Sequence, residues 1–366
     1  MDQASAQAKE YQAIKNRLFL FNLILDFCFL ILLIITGASR CLKAGLLNIR
    51  DDFFSINALY FACFSVFGLM VSFPLDFYEG FVLEHRFGLS RQNFIPWLTD
   101  HLKKAVIIFI VSLILVEAVY FFLSQFSESW WLWAAGFWFF ISVVLARIYP
   151  RVILPIFFHP KALEAGELRD RIFSLLERYK IRLKEVYVLD FSKKTVKANA
   201  MVTGLGATKQ IFLSDTLVNE FPADQIEAVL AHEIGHYLRR DTLKLTVAGL
   251  CSSLVSFFAA RIVLDWFIFS WGLNAASDIA GLPLLLMILM GTGLILLPLQ
   301  NGYSRLLETR ADDFALKALS NPGSFIAMIT RLGEKNFAEF SPSKLVEIFL
   351  YDHPPISQRI EHARRV

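Results

Sequence analysis

The fold is decided by the stretch LTVAGLCSSLVSFFAARIVLDWFIFSW, residues 245–271, which is a long run of mostly apolar side chains. A second run, AGLPLLLMILMGTGLILLPLQ, follows at residues 280–300 after the short loop 272–279. An α-helix needs about 20 residues to cross a bilayer, and both runs are long enough. The pair therefore predicts a hairpin of two transmembrane helices, which returns the chain to the side of the membrane where it started.

Four further apolar runs precede this hairpin, at roughly residues 18–38, 56–78, 104–124 and 130–150. Hydrophobic residues make up 56% of the chain and charged residues 19%, and a soluble protein of this length does not bury that much apolar surface. The first run lacks a small-residue cleavage site, so we expect it to be retained as a membrane helix. We predict a predominantly α-helical, polytopic membrane protein with about six transmembrane helices.

Polar sequence is concentrated in two stretches that flank the hairpin. The first contains two predicted helices, 167–181 and 224–238, and strand-like segments at 185–191, 199–207 and 209–217, of which 199–207 includes a Gly-rich turn. A further helix is predicted at 304–319, where the second stretch begins. The chain is thus divided into N-terminal transmembrane helices (1–158), a water-facing α+β domain (159–243), the transmembrane hairpin (244–300) and the C-terminal part of the same domain (301–366).

The distribution of basic residues predicts the orientation in the membrane. With six spans, the amino terminus, the loop 84–104 and both polar stretches share one side, which carries most of the Lys and Arg residues. The loops 125–129 and 272–279 on the other side contain neither Lys nor Arg. Because basic loops stay in the cytoplasm, we expect the water-facing domain to be cytoplasmic.

Charge and cysteine content argue against several other classes of protein. The net charge is only +3, and no basic stripe is interleaved with aromatic residues, so we expect no nucleic-acid partner. Three of the four cysteines lie inside apolar runs, and no pair has the spacing of a zinc site. Neither a disulfide framework nor a thiolate metal site is therefore indicated.

The helix predicted at 224–238 carries the sequence His232-Glu233-Ile234-Gly235-His236, an HExxH motif. Residues four apart lie one turn apart on the same helix face, so both imidazoles can reach a single metal ion. Glu233 projects beside them and can take a proton from water activated by that ion. The structural alternative is two surface or capping histidines, which the glutamate on an otherwise apolar helix disfavours.

A catalytic zinc needs a third protein ligand, and Glu308 in the sequence Glu308-Thr309-Arg310-Ala311-Asp312 is the best candidate. Asp312 lies one turn further along the same face, where it can accept the second N–H of a ligating imidazole. An ExxxD pair alone is weak evidence for a metal ligand, since such pairs are common on solvated helices. Topology strengthens it, because the HExxH motif lies just before the transmembrane hairpin and Glu308 just after it, so both emerge on the same side.

Several separated stretches resemble the type I CAAX prenyl protease family of integral-membrane zinc peptidases, over roughly residues 56–366. They are FVLEHRFGLSRQNF (81–94), IYPRVILPIFF (148–158), GELRDRI (166–172), NAMVTGLGATKQIFLSDTL (199–217), AVLAHEIGHY (228–237), SRLLETRADDFA (304–315) and DHPPISQRI (352–360). The HExxH motif alone is generic, whereas this set in this order is specific. The resemblance implies a zincin-like metalloprotease domain on the cytoplasmic side.

The resemblance also implies roles for residues outside the motif. A strand matching 199–203, with Asn199, Ala200 and Met201, would pair with a peptide substrate through backbone hydrogen bonds. A histidine matching His353 helps to stabilise the oxyanion, and an arginine matching Arg359 lies close to the ligating glutamate and the substrate. Without the resemblance, His353 is equally a solvated loop residue and Arg359 more often a surface charge.

This chain departs from the family pattern at three places. Met201 replaces an aromatic residue, and Asp241 stands where eukaryotic members often have a histidine. The N-terminal part is short, with one span fewer than the seven of eukaryotic members. These departures favour a bacterial member.

We therefore predict a zinc metalloendopeptidase with one Zn²⁺ per chain, Glu233 as general base and ligands His232, His236 and Glu308. Its expected partners are a peptide or membrane-protein substrate and the lipid bilayer, and its expected location is a bacterial inner membrane. One alternative is a heat-shock-type quality-control protease with the same zinc triad. Another is a non-enzymatic transporter or scaffold with structural zinc.

Charged residues also occur inside or near the ends of the apolar runs: Asp26, Glu117, Arg261 and Asp265. A charge inside a membrane is costly, so each is expected to be paired or to face water. Arg261 and Asp265 are four residues apart and could pair with one another. None of the four is assigned a catalytic role.

Overall fold

The computed structural model describes residues 3–181, 185–203, 210–273, 275–319 and 321–365. Within these residues, six helical stretches are long and apolar enough to span a membrane, which confirms the predicted fold class. They are Ser5–Ile35, Phe53–Arg86, Phe94–Gln125, Trp130–Phe157, Asp241–Phe267 and Ile279–Ala318.

The N-terminal half consists of helices that extend beyond the predicted spans. The helices are α1 (Gln3–Ile35), α2 (Ala38–Leu47), α3 (Phe53–Phe77), α4 (Glu84–Arg86), α5 (Phe94–Gln125), α6 (Trp130–Ile148) and α7 (Leu154–Phe157). Two π-helical turns, Tyr78–Leu83 and Tyr149–Ile153, connect α3 to α4 and α6 to α7 without a break. Spans that leave the membrane as continuous helices can position the water-facing domain above them.

The membrane helices pack around large buried side chains and present apolar residues outward. Tyr60, Tyr120 and Trp130 are almost completely buried in this bundle. Trp266 and Ile295 are 78% and 75% exposed, which is favourable only if lipid covers them.

The charge of Arg261 is paired, but with a different partner from the one suggested by the sequence. Its guanidinium contacts the Glu128 carboxylate at 2.6 Å, and the structure shows no such contact with Asp265 among the described residues. The spacing of four residues could not reveal Glu128, because that residue lies in the loop between α5 and α6.

The water-facing domain contains a small mixed sheet. Its strands are β1 (Lys161–Ala162), β2 (Val186–Leu189), β3 (Ala200–Thr203) and β4 (Gln210–Ser214), in the order β1-β2-β4-β3. β2 is parallel to β4, whereas β1 and β3 are antiparallel to their neighbours. The edge strand β3 therefore has one side free of strand partners within the described residues.

Helices complete this domain from both polar stretches of the sequence. They are α8 (Glu167–Arg178), α9 (Asp215–Glu220), α10 (Ala223–Leu238), α13 (Pro322–Lys335), α14 (Lys344–Leu350) and α15 (Ile356–Arg365). One hydrophobic core includes Leu175 of α8, Leu213 of β4, Leu230 of α10, Phe325 of α13 and Ala363 of α15. The two polar stretches thus fold together around a shared core.

Some predicted boundaries differ from those observed, for local reasons. The predicted strand 209–217 ends at Ser214, because the Ser214 hydroxyl caps α9 by accepting a hydrogen bond from the N–H of Leu217. α8 ends at Arg178 and not at 181, and Lys180 then adopts a left-handed conformation with φ 55°. The predicted Gly-rich turn after β3 lies outside the described residues.

The transmembrane hairpin consists of α11 (Asp241–Phe267) and α12 (Leu282–Ala318). α12 continues for 37 residues from the membrane into the water-facing domain, so the helix predicted separately at 304–319 is the end of the sixth span. Pro298 lies inside it without ending it, as is tolerated in membrane helices. The candidate ligand Glu308 is therefore carried by the same rigid helix that crosses the membrane.

Candidate metal centre

Helix α10 carries His232, Glu233 and His236, and it packs directly against α12. Gly235 allows this close approach, because a Cβ atom at that position would lie 3.1 Å from the Cα of Ala311 on α12. A larger side chain would push the two helices apart. The glycine of the HExxH motif thus brings the motif to the helix that carries Glu308.

The three predicted ligands converge on one point. The Nε2 atoms of His232 and His236 lie 3.3 and 3.2 Å from the two carboxylate oxygens of Glu308. The two Nε2 atoms are 3.2 Å apart, and one ligand atom from each of the three residues lies within 4.8 Å of the others. This geometry places two imidazoles and a carboxylate around a single small volume.

Each imidazole is oriented by a carboxylate on its other nitrogen. Nδ1 of His232 lies 2.8 Å from Asp312, and Nδ1 of His236 lies 3.0 Å from Asp241. Because carboxylates accept hydrogen bonds, both Nδ1 atoms carry the hydrogen, and both Nε2 lone pairs point at each other and at Glu308. Four electron-rich atoms facing one volume repel one another unless a cation lies between them.

The chemistry of these donors fits zinc. Glu308 Oε2 is buried and has no hydrogen-bond partner among the described residues, which leaves an oxygen available as a ligand. Two imidazole nitrogens and a carboxylate oxygen are the three protein ligands of a catalytic zinc site, in which the fourth position is open. Burial alone would lower the pKa of the His232 imidazole, but the carboxylates of Asp312 and Glu308 outweigh burial and raise it to about 9. The two carboxylates thus favour a positive charge at this point, which a metal ion would supply in place of a proton on Nε2.

Glu233 lies beside the three converging side chains, in a cavity of about 210 Å³. Its lining includes His232, His236, Glu308, His353 and Val202 of the edge strand β3. Burial raises the pKa of the Glu233 carboxyl, whereas the two neighbouring imidazoles lower it. A carboxyl group with a raised pKa next to a metal site is suited to accept a proton and to give it back.

The backbone of β3 presents hydrogen-bonding groups toward this cavity. Asn199 just precedes the strand, and its carbonyl accepts a hydrogen bond from the N–H of Ser214 at 2.9 Å. Along an antiparallel strand, the N–H and C=O of successive residues point alternately toward and away from the neighbouring strand. Since Asn199 bonds β4, the N–H and C=O of Ala200 and Val202 point away from β4. The N–H of Val202 accordingly hydrogen-bonds the Glu233 carboxylate. The Met201 side chain packs on the other face of the sheet, against Phe212.

His353 lies at the rim of the cavity, in the loop between α14 and α15. Its Nε2 is 3.4 Å from Glu308 Oε1, its Nδ1 is 2.8 Å from Asp352 Oδ1, and its side chain is half-exposed. Burial lowers the pKa of His353, but Asp352 and Glu308 outweigh it and raise the pKa. The cationic form thus favoured has a hydrogen on Nε2 that can be donated to a substrate.

Arg359 lies behind the site and not among the residues that line its cavity in the described part of the chain. Its Nε and Nη2 atoms donate to the two oxygens of Asp312 at 2.8 and 2.6 Å. Asp312 in turn holds His232. This position favours a role for Arg359 in supporting His232, whereas its expected closeness to the substrate stays a prediction.

Asp241 is the site residue whose role sequence reasoning missed. It was noted only as a departure from the family pattern, yet its side chain is 1% exposed and orients His236. Arg240, in a left-handed conformation with φ 55°, turns the chain sharply between α10 and α11. Asp241 is only five positions after His236, but the contact depends on the turn at Arg240, which the spacing does not reveal.

Two family models match the chain, one on each side of residue 160. Residues 1–159 match a model described as CAAX prenyl protease N-terminal, five membrane helices. Residues 162–366 match Peptidase family M48. The chain belongs to peptidase family M48. As an M48 member with six membrane helices, it is a membrane zinc metalloprotease that hydrolyses peptide bonds.

Similar proteins agree with membership of family M48. The uncharacterized metalloprotease YhfN of Bacillus subtilis is 29% identical over 370 residues, which cover 98% of this chain and 85% of that protein. CAAX prenyl protease 1 of Saccharomyces cerevisiae is 30% identical over 313 residues, covering 80% of this chain and 68% of that protein. The resemblance predicted from the sequence is confirmed, and a non-enzymatic transporter or a heat-shock-type protease is not favoured.

A solved structure confirms the fold of this M48 chain. The crystal structure of S. mikatae Ste24p superposes with a TM-score of 0.89 at 23% identity, covering 99% of this chain and 90% of that one. Four of the six candidate spans lie within residues 1–159, where the matching family description has five. The shorter set of membrane helices agrees with the departure noted in the sequence.

Proposed function

We propose that this M48 protease holds one Zn²⁺ between His232, His236 and Glu308 and uses Glu233 as its general base. The observation that carries the proposal is the convergence of these ligand atoms within 4.8 Å. Glu233 immediately follows His232, and its carboxyl group lies in the same cavity. The two histidines come from α10, before the membrane hairpin, and Glu308 comes from the end of the second hairpin helix, α12, so the ligands meet only in the folded chain.

A Zn²⁺ ion bound there would act as a Lewis acid that polarises a peptide carbonyl and makes water acidic. Glu233 accepts the proton of the attacking water and later donates it to the leaving amine. Burial raises the pKa of this carboxyl group above its ordinary value, which favours acceptance of the proton. The hydrogen bond from the Val202 N–H orients this carboxylate toward the cavity.

The edge strand β3 binds the substrate in an extended conformation. Its outward-facing groups, the N–H and C=O of Ala200 and the C=O of Val202, can pair with a peptide backbone as an added strand. Val202 lines the cavity beside Glu233, so a peptide paired with β3 passes directly over the metal site. Backbone pairing of this kind gives affinity without demanding a particular sequence.

His353 stabilises the negative charge that develops on the carbonyl oxygen. Its Nε2 lies on the open side of the site, close to Glu308, and its raised pKa favours the form that can donate. Replacing a donor of this kind lowers kcat by about 10²–10³-fold. We expect His353→Ala to show this loss in kcat while zinc content stays at one per chain.

The position of the cavity suggests the class of substrate. Leu245 and Thr242, which line it, belong to the first turns of the membrane span α11. A peptide bound there lies next to the bilayer, which supports substrates that are membrane-associated or end in a C-terminal peptide, as in CAAX-type proteases. Basic residues on this side of the protein support a cytoplasmic active site. The extensive match to the Bacillus subtilis protein supports a bacterial membrane, which the sequence analysis takes to be the inner membrane.

The proposal is tested by measuring zinc content and peptide cleavage together in purified protein. Glu233→Gln should retain one zinc per chain and lose cleavage, because Glu233 is not a ligand. Glu308→Ala should lose zinc and cleavage together. Glu227→Gln, also on α10 but outside the cavity, serves as the control and should change neither. Cleavage by Glu233→Gln at the wild-type rate, or tight zinc in Glu308→Ala, would contradict these roles.

A further inference from the structure

The segment Phe81–Phe94 contributes to the family resemblance, but the sequence assigned it no role. In the structure, part of it pairs with the chain that leads into β3. The N–H of Arg91 donates to the carbonyl of Lys194 at 2.9 Å, and the N–H of Val196 donates to the carbonyl of Leu89 at 3.1 Å. Ser90 and Thr195 form an antiparallel bridge between these bonds. The loop that follows α4 thus pairs with the chain before β3 through a short antiparallel bridge.

A partly buried ion pair reinforces this contact. Lys197 Nζ lies 2.9 and 2.8 Å from the two oxygens of Glu84, which is the first residue of α4. The hydroxyl of Tyr11 on α1 donates to the same carboxylate and accepts from Lys197 at 3.0 Å. The Glu84 and Lys197 side chains are only 16% and 29% exposed, so water screens the pair weakly. Two membrane helices, α1 and the extension of α3, therefore hold one lysine.

The chain is fixed continuously from Lys197 to the substrate strand. The carbonyl of Lys197 accepts from the Thr216 hydroxyl at 2.7 Å. The Asn336 side chain bonds both the N–H and the carbonyl of Ala198, each at 3.0 Å. Asn199 is then paired with Ser214, and β3 begins at the next residue. A displacement of Lys197 would be passed to Ala200, because only two residues separate them.

We propose that Glu84 is a positioning residue for substrate binding, which fixes the edge strand β3 to the membrane helices through Lys197. The inference rests on the proposed role of β3 in peptide binding. Peptide pairing depends on strand groups that are held within a few tenths of an ångström, and residues that support such groups act without touching substrate. Glu84 lies outside the metal site, so its loss should weaken peptide binding and leave the chemistry intact.

The test compares Glu84→Gln with Arg86→Gln. Arg86 also lies on α4 and also pairs with α1, through Glu10, but this pair is half-exposed and does not touch residues 194–198. For a quenched fluorescent peptide that the wild type cleaves, Glu84→Gln should raise KM about tenfold and change kcat less than about twofold. Zinc content should stay at one per chain in both variants, and Arg86→Gln should keep the wild-type KM.

A second measurement does not depend on catalysis. By hydrogen exchange, the amides of residues 196–203 should exchange at least about tenfold faster in Glu84→Gln than in Arg86→Gln, with α10 equally protected in both. This readout separates the inference from the proposed function, because it can succeed even if Glu233→Gln retains activity. The double variant Glu84→Gln/Lys197→Met leaves no unpaired charge and should show the same exchange and the same KM as Glu84→Gln.

Three results would overturn the positioning role. The first is a KM and an exchange pattern in Glu84→Gln that match those of Arg86→Gln. The second is a loss confined to kcat or zinc content. The third is failure of both the single and the double variant to fold while Arg86→Gln folds, which would make the ion pair a requirement of the whole fold.

Discussion

The two imidazoles of the metal centre are supported in opposite ways. His232 is held by Asp312, which lies 80 residues further along the chain on α12, and Asp312 is held by Arg359 on α15. His236 is held by Asp241, only five residues away, and Asp241 is held by Lys244 in the next turn of α11. One support joins three helices across the domain, whereas the other is local to one helix junction.

The two supports also differ in how far the basic partner of each carboxylate is buried. The Asp312 and Arg359 side chains are 2% and 13% exposed, and the guanidinium contacts both carboxylate oxygens. Lys244 is 37% exposed and contacts one oxygen of Asp241. Breaking a buried ion pair leaves a charge that water cannot reach, while an exposed lysine is simply hydrated. The His232 support should therefore matter for folding and metal binding, and the His236 support mainly for metal binding.

The largest effect is expected from Asp312→Asn. The amide cannot carry the charge that neutralises Arg359, and an NH₂ group would face one of the guanidinium donors. Loss of one partner of a buried pair costs about 3–5 kcal/mol of unfolding free energy. Zinc affinity should also fall about 10–100-fold, because the imidazole loses its orienting acceptor. Denaturation in detergent and competition with a zinc chelator measure the two effects.

Asp313→Asn provides the matched control. Asp313 is the next residue on α12 and also binds a histidine, His362 at 2.6 Å, but both side chains are about one-third exposed and lie outside the metal site. This variant should change the unfolding free energy by less than about 1 kcal/mol and leave zinc affinity unchanged. If Asp312→Asn and Asp313→Asn lowered the unfolding free energy and the zinc affinity equally, the burial of Asp312 would not explain its importance.

The parts of this arrangement that the sequence predicted are those set by local periodicity. The apolar runs gave six spans, and the spacing of four placed His232 and His236 on one helix face. The third ligand was predicted from the Glu308–Asp312 spacing, and topology strengthened it, since an even number of spans returns Glu308 to the side of the histidines. The periodicity of apolar residues depends on a single helix or strand, and the side of the membrane depends only on the number of spans. Both can therefore be read from one sequence.

The parts that the sequence missed depend on contacts between distant elements. Arg359 reaches Asp312 because α15 packs near the end of α12, and Glu84 reaches Lys197 because a membrane span extends past the bilayer. Nothing in the spacing of these residues specifies which partner each charge finds. Asp241 was missed for another reason, because its orientation depends on the left-handed turn at Arg240.

The local support is tested by Asp241→Asn, for which a smaller effect is expected. The amide oxygen can still accept from His236, but without the negative charge that strengthens the bond, so zinc affinity should fall about tenfold. Lys244 is free to turn toward water, and the unfolding free energy should fall by only about 1 kcal/mol, partly through the lost charge at the start of α11. Chelator competition and denaturation measure both values.

Asp224→Asn controls for the general effect of an acidic residue in the first helical turn. Asp224 lies in the first turn of α10, where it accepts a hydrogen bond from Ser324 far from the metal site. The Asp224→Asn variant should lose about as much unfolding free energy as Asp241→Asn and should keep the wild-type zinc affinity. If Asp241→Asn destabilised the fold as strongly as Asp312→Asn, the contrast between the two supports would be lost.

The smallest effect is expected from Lys244→Met, which removes the outermost charge of the local support and keeps its apolar stem. Lys344→Met is the matched comparison, since Lys344 also contacts a buried carboxylate at a separation of three residues, Glu347 at 3.0 Å, away from the metal. Both lysines are at least partly exposed and both carboxylates keep another hydrogen-bond partner, His236 for Asp241 and Gln358 for Glu347, so each variant should lose no more than about 1 kcal/mol of unfolding free energy. Zinc affinity should change less than about threefold in Lys244→Met, because Asp241 stays charged and continues to orient His236. A tenfold loss there would mean that the lysine positions Asp241 as firmly as Arg359 positions Asp312, and the two halves of the site would then be supported alike despite their different burial.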